Sequence, residues 1–211
     1  RTVEERVAGN PKWRTGQIRS CGRSLLIGIW TAVFAWNLTF GVSFIKSFSN
    51  PSFTTGARIV LGVFSLGGLV IIGFAVRFTI QRFRFGESWC CINGKAGVLG
   101  STISGKVRTS SDVEATGDYT VEVTCVETYT VGTGKNQTSK TNIHWQTKQK
   151  VARTGLRSSS GIPFSIELPT YPPETGYQLS RGQLNWQLQV TAPTKGVDYS
   201  AMFIVPVFRM D

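Results

Sequence analysis

Two stretches of this chain, residues 24–44 and 59–76, contain no charged side chain. Residues 24–44 read SLLIGIWTAVFAWNLTFGVSF. As a helix rising about 1.5 Å per residue they reach about 31 Å, close to the ~30 Å hydrocarbon core of a bilayer. Residues 59–78 read IVLGVFSLGGLVIIGFAVRF, with Arg77 near the end. There its long stem can carry the guanidinium back to the headgroups. At the bilayer centre the same charge would cost about 2.5–3.5 kcal/mol, so its terminal position matters. Core helices of soluble proteins seldom run this long without a polar face. A cleaved leader fits poorly, because its apolar region spans roughly 7–15 residues and no second span follows it. The pattern predicts a hairpin of two transmembrane helices.

The charges fix an orientation. Residues 1–85 hold 11 Lys/Arg against 2 Asp/Glu, and residues 86–211 hold 12 against 10. Arg1, Arg6, Lys12, Arg14, Arg19 and Arg23 precede the first span, and Arg77, Arg82, Arg84 and Lys95 close or follow the second. The connection between them carries only Lys46 and Arg58 beside the turn formers Asn50, Pro51 and Gly56. The positive-inside rule then places both termini in the cytoplasm. Arg14, Arg19, Arg23, Arg77, Arg82 and Arg84 are expected to meet anionic lipid headgroups, each for about 1 kcal/mol. A basic excess that flanks apolar spans speaks against nucleic acid as a partner.

Small residues in the spans point to helix contacts. Gly28 and Ala32 form a small-xxx-small pair, and Gly62, Ser65, Gly67, Gly68 and Gly73 thin the second helix. Such positions let backbones approach closely in lipid, within the hairpin or with another subunit. Asn37 is a polar amide well inside the first span and is expected to bond the neighbouring helix or another subunit.

Beyond residue 86 the period changes from helical to two. Tyr119, Val121, Val123 and Cys125 alternate with Thr120, Glu122 and Thr124. The same alternation runs through Ile143, Trp145, Thr147, Gln149 and Val151, and recurs over 162–168, 184–192 and 199–207. With 88–93 and 98–108 this makes about seven strands, and prolines such as Pro163 and Pro193 should sit at edges or turns. The expected fold is a membrane α-helical hairpin plus an all-β antiparallel sandwich. Its divisions are a basic cytoplasmic segment 1–23, the hairpin 24–85 and a cytoplasmic sandwich 86–211.

No arrangement of reactive side chains stands out. Cys21, Cys90, Cys91 and Cys125 make no CxxC pair, and reduced packing residues are expected in a cytoplasmic domain. His144 is the only histidine, which excludes multi-histidine metal sites, and a surface or turn-proximal role is expected for it. Gly132-Thr133-Gly134-Lys135 resembles a phosphate loop, but Tyr129 stands where its first glycine belongs and Asn136 where its Ser/Thr belongs. A hairpin turn accounts for it better. The sequon at Asn136 would be silent in the cytoplasm. No catalytic residues, metal or cofactor are expected.

The passages PKWRTGQIRS, WNLTF, RFGESW, GVLGSTISGKVR, IPFSIELP and LNWQLQVTAPTKGVDYSAMFIVPVF extend from Pro11 to Phe208. They resemble a group of bacterial membrane proteins defined by a domain of unknown function. The most specific part holds Trp186, Gly196, Val197, Asp198, Tyr199, Val205, Pro206 and Phe208. The C-terminal part also resembles arrestin-like sandwiches, whose sheets serve as docking surfaces. Fuller members carry a further membrane segment and a small β domain upstream, so a shorter relative or a fragment is expected here. The resemblance implies a bacterial inner-membrane location and assigns no reaction. The resulting expectation is a non-enzymatic interaction protein, an accessory or scaffolding subunit whose partners are membrane lipids and other membrane protein subunits. A ligand- or lipid-sensing module is the alternative, and an enzyme ranks below both.

Overall fold

The computed structural model describes residues 13–132, 137–171, 174–176 and 182–210, with side chains in the first helix from residue 26 onward. Two compact units result, a helical one over Gly22–Arg84 and a β unit. In the helical unit, α1 (Gly22–Trp36) runs through a π-helical turn (Asn37–Gly41) into α2 (Val42–Ser49). After a short turn, α3 spans Thr55–Phe85. Asn50 Oδ1 accepts the Ser52 N–H at 3.0 Å, an Asx turn that helps reverse the chain. Thr54 Oγ1 then accepts from Ala57 N at 3.3 Å and caps α3.

Both helical rods, Leu26–Ser49 and Thr55–Phe85, are long and apolar enough to cross a membrane. Only 6% and 11% of their most apolar windows is buried within the protein. The π turn has a local cause. Asn37 Nδ2 donates to the Val33 carbonyl at 2.9 Å, the acceptor an α-helical Asn37 N–H would use, and the ladder widens from that point.

The β unit contains two four-stranded antiparallel sheets around one core. In the first sheet β1 (Gln17–Arg19), β2 (Ser88–Ile92), β4 (Thr102–Thr109) and β7 (Ile162–Glu167) lie in that order. The second runs β6 (Thr138–Val151), β5 (Tyr119–Val131), β8 (Gly182–Ala192) and β9 (Tyr199–Val205). Trp186, Tyr119, Tyr199 and Phe203 are the largest side chains buried completely between them. Proline sits where a missing amide hydrogen does least harm, as at Pro163 in the edge strand β7.

Three features depart from the expected division and pairing. The stretch 1–23 was expected to be separate, yet its described residues 13–21 belong to the β unit. Ile18 pairs with Cys90 and is buried, while Gln17 and Arg19 on either side face outward. A second departure is a short parallel pair, β3 (Gly97–Val98) with β10 (Val207–Phe208), in an otherwise antiparallel fold. The third is a bulge between β5 and β6. Cys125 pairs with Trp145 and Val126 with Ile143, so His144 is an extra residue and Ile143, expected inward, is 55% exposed. Val131 pairs with Thr138, which makes the glycine-rich stretch between them a hairpin connection, its tip at 133–136 lying outside the described residues.

Burial holds several weak acids neutral in this core. Tyr199 is packed edge-on against Phe85 with centroids 5.4 Å apart, and its hydroxyl lies 3.0 Å from Ser88 Oγ. Desolvation pushes the Tyr199 phenol up from 10.0 to about 12 and the Cys125 thiol up from 9.0 to about 12. The same burial, then the neighbouring Cys91, raises Cys90 as well. In the unfolded chain these groups ionise at ordinary values. The β unit is therefore expected to keep full stability below about pH 9 and to lose it progressively as pH rises to about 12. Urea midpoints measured across that range should fall, and Y199F should fall less steeply. An identical slope for Y199F would contradict this account.

Candidate functional site

The helical unit joins its two rods along one seam, and the small residues divide between the seam and the outside. A Cβ on Gly68 would lie 2.7 Å from Asn37 Oδ1 and 3.1 Å from Trp36 Cδ1. One on Gly62 would come to 3.3 Å from the Phe44 ring, and one on Gly67 only to 4.0 Å from Trp36. Gly28 and Gly73 have nothing within 4 Å, and Ala32, one turn from Gly28, is exposed. Of the six candidate packing positions, the seam thus gathers Asn37, Gly62 and Gly68, touches Gly67 lightly, and leaves out Gly28 and Ala32.

Asn37 does not bond across the seam, because its amide nitrogen turns back to Val33 on its own helix. The polar links are made by residues that hydropathy passes over. Trp36 Nε1 donates to the Phe64 carbonyl at 2.9 Å, Trp30 Nε1 to Thr79 Oγ1 at 3.0 Å, and Ser65 Oγ to the Phe40 carbonyl at 3.3 Å. The last of these reaches a carbonyl in the π turn, where the helical ladder is loosened. Phe40 and Phe64 stack 4.9 Å apart between them.

The basic residues fall in both units. Arg14 and Arg19 are exposed on the β unit, in a turn and on β1. Arg77, Arg82 and Arg84 occupy the last turns of α3. Arg23 lies in α1, its side chain outside the described set.

In the β unit, His144 is not isolated. The bulge turns it toward Glu127, and His144 Nε2 lies 2.9 Å from Glu127 Oε2. Glu127 continues the inward face of Tyr119, Val121, Val123 and Cys125, opposite the buried Leu184. Its side chain is only 11% exposed. A charge at an inward period-two position was the available sequence signal, but its partner depends on the bulge. Together they form a part-buried hydrogen-bonded pair. Among the described residues no group of three or more His, Cys, Asp and Glu is placed to hold a metal. Cys90 is buried and Cys91 half-buried on the opposite face of β2, so adjacency does not bring them to one site.

An open cleft of about 730 Å³ lies between loops 110–118 and 152–161. Its walls are residues 113–119 and 153–157. Buried Ser158 ties the loops together, its hydroxyl accepting from Val113 N and from Thr109 Oγ1, both at 2.7 Å. Asp112 Oδ1 accepts from Ser159 N at 2.9 Å and Asp118 Oδ1 from Arg153 N at 3.2 Å. The hydrogen bonds from Ser159 hold the Asp112 carboxyl below its ordinary value, with Arg157 adding to the effect.

Neither the protein-family models nor the curated proteins give a match to this chain. Among solved structures, the crystal structure of Spo0M, a sporulation control protein from Bacillus subtilis, is similar at 13% sequence identity with a TM-score of 0.37. The match covers 57% of this chain and 48% of Spo0M, so the chain spans about half the length of that protein. Likeness at this level leaves the function to be argued from the residues themselves.

Proposed function

We propose that this chain is a non-enzymatic, membrane-anchored interaction protein, an accessory or scaffolding subunit of a larger assembly in a bacterial inner membrane. The observation that carries this reading is the division of small residues in the helical unit. Gly62 and Gly68 are consumed by the hairpin's own seam, while Gly28 and Ala32 remain on an outer face with room for another backbone. Both termini lie in the cytoplasm under the positive-inside rule, and arginines at the ends of the spans meet lipid headgroups. The β unit docks onto a partner through its faces more than its edges. Ser165 N on the edge strand β7 is capped by Gln149 Oε1 at 3.0 Å, and Cys21 N binds the Met202 carbonyl of edge strand β9 at 2.9 Å.

Purification in mild detergent followed by mass spectrometry tests this. Reproducible stoichiometric membrane partners are expected, with recovery falling about tenfold or more when Gly28 and Ala32 are both replaced by Leu, a change worth at least about 1.4 kcal/mol. In the same cells, protease added to intact spheroplasts should spare the C-terminal half. A monomer that elutes alone would overturn the accessory role, and digestion of the C-terminal half would overturn the orientation. The cleft between loops 110–118 and 152–161 favours a second reading, a ligand- or lipid-sensing module.

A further inference from the structure

The cleft deepens that second reading, because its lining is charged and balanced. Arg153 and Arg157 stand on one wall and Glu114 and Asp118 on the other, all four exposed. The backbone beneath them is set in advance by Ser158, Asp112 and Asp118, so little ordering remains when a ligand enters. A simple anion gains from the guanidiniums and loses to the carboxylates, and a simple cation does the reverse. A compact dipolar group with a phosphate at one end and a primary ammonium at the other satisfies both walls. Arginine suits the phosphate through its planar fork of donors, and a carboxylate accepts from an ammonium.

The chain's own path limits where such a group comes from. Both points at which the sequence passes to the apolar segments are fixed in the β unit, and the second of them lies beside the start of loop 110–118. Cys21 N binds Met202 O at 2.9 Å, and Phe85 is buried against Tyr199. Two residues past Phe85, Glu87 N donates to Ser110 Oγ at 3.0 Å and Ser110 N to Glu87 O at 2.9 Å, clasping the start of loop 110–118. If the apolar helices span a bilayer, the few residues between the second span and Glu87 set an upper limit on the distance from these loops to the headgroups.

We infer that the cleft lined by Glu114, Asp118, Arg153 and Arg157 receives the zwitterionic headgroup of a glycerophospholipid that carries a primary ammonium. This rests on the reading of the hairpin as membrane-spanning. The test uses the full chain in nanodiscs of phosphatidylcholine alone, or with phosphatidylethanolamine or phosphatidylglycerol added. The readout is hydrogen exchange at residues 113–118 and 153–157. Phosphatidylethanolamine is expected to slow exchange there about tenfold relative to the other two compositions. R153Q/R157Q should abolish the effect without moving the melting temperature, since both side chains are exposed. E114Q should erase the preference over phosphatidylglycerol.

Equal protection by phosphatidylglycerol would overturn the inference in favour of a simple basic surface. Protection by soluble phosphoethanolamine, added to phosphatidylcholine discs, would overturn the lipid source. Unchanged exchange in every disc, with the chain resistant to alkaline carbonate extraction, would overturn the cleft's role and leave the membrane reading standing. Extraction by carbonate would overturn both.

Discussion

Replacing Trp186 by alanine is expected to destabilise the β unit by about 3–5 kcal/mol, the range for removing a fully buried tryptophan from a packed core. Trp186 is wholly inaccessible, pairs with Cys125 on one side and Val205 on the other, and packs against Trp145 with ring centroids 5.5 Å apart. No neighbour can collapse into that volume without moving one of two flanking strands. Against a total stability of about 5–15 kcal/mol, the loss would leave much of the population unfolded under mild urea. W145A is the control. Trp145 sits on the edge strand β6 and is only partly buried, so its loss should cost less. Near-ultraviolet circular dichroism through a urea titration reads both. Equal midpoints for the two variants would contradict the placement of Trp186 at the centre of the core.

How much of this could be read from the sequence depends on the length of each signal. The alternation Leu184, Trp186, Leu188, Val190 spans enough residues to set an inward face, and the structure buries all four. The apolar runs 24–44 and 59–76 were equally legible as long, apolar helices. The strand Gln17–Arg19 was not, because three residues with a single apolar side chain are too few to show a period. The exposed Ile143 and the pair Glu127–His144 were hidden for another reason. A bulge belongs to a pairing between two strands, and neither strand's own pattern records it.

The same distinction holds for the candidate sites. Gly62, Gly68 and Asn37 were found by type and position, but their separation from Gly28 and Ala32 required knowing which side of each helix faces the other. The cleft escaped notice altogether. Its four charged residues come from two loops about 40 positions apart in sequence, and the serine that joins those loops looks ordinary in its own segment. Asp112 and Asp118 bond backbone amides of the other loop, contacts that neither segment's own sequence records. What proximity adds is a balanced set of charges around one opening.

Within the helical seam, G68L is expected to force the rods apart, while G28L leaves them together. If the rods lie in a bilayer, as proposed above, no hydrophobic drive holds them in contact, and the hairpin depends on close packing and a few polar links. A Cβ on Gly68 falls 2.7 Å from Asn37 Oδ1, and that amide cannot simply rotate away while its nitrogen is bonded to the Val33 carbonyl. Overpacking of this kind costs about 1–3 kcal/mol, and separation would also break the Trp36–Phe64 and Ser65–Phe40 links. A cysteine pair at positions 30 and 79, where Trp30 and Thr79 now meet, gives the measurement. Its cross-linking yield should fall severalfold with G68L and stay unchanged with G28L. Adding N37A to the smaller change G68A should restore the yield, because the clash and the amide vanish together, and the two substitutions would then be strongly non-additive. Additive losses in that double variant would mean that Gly68 and Asn37 do not share the contact on which the seam closes.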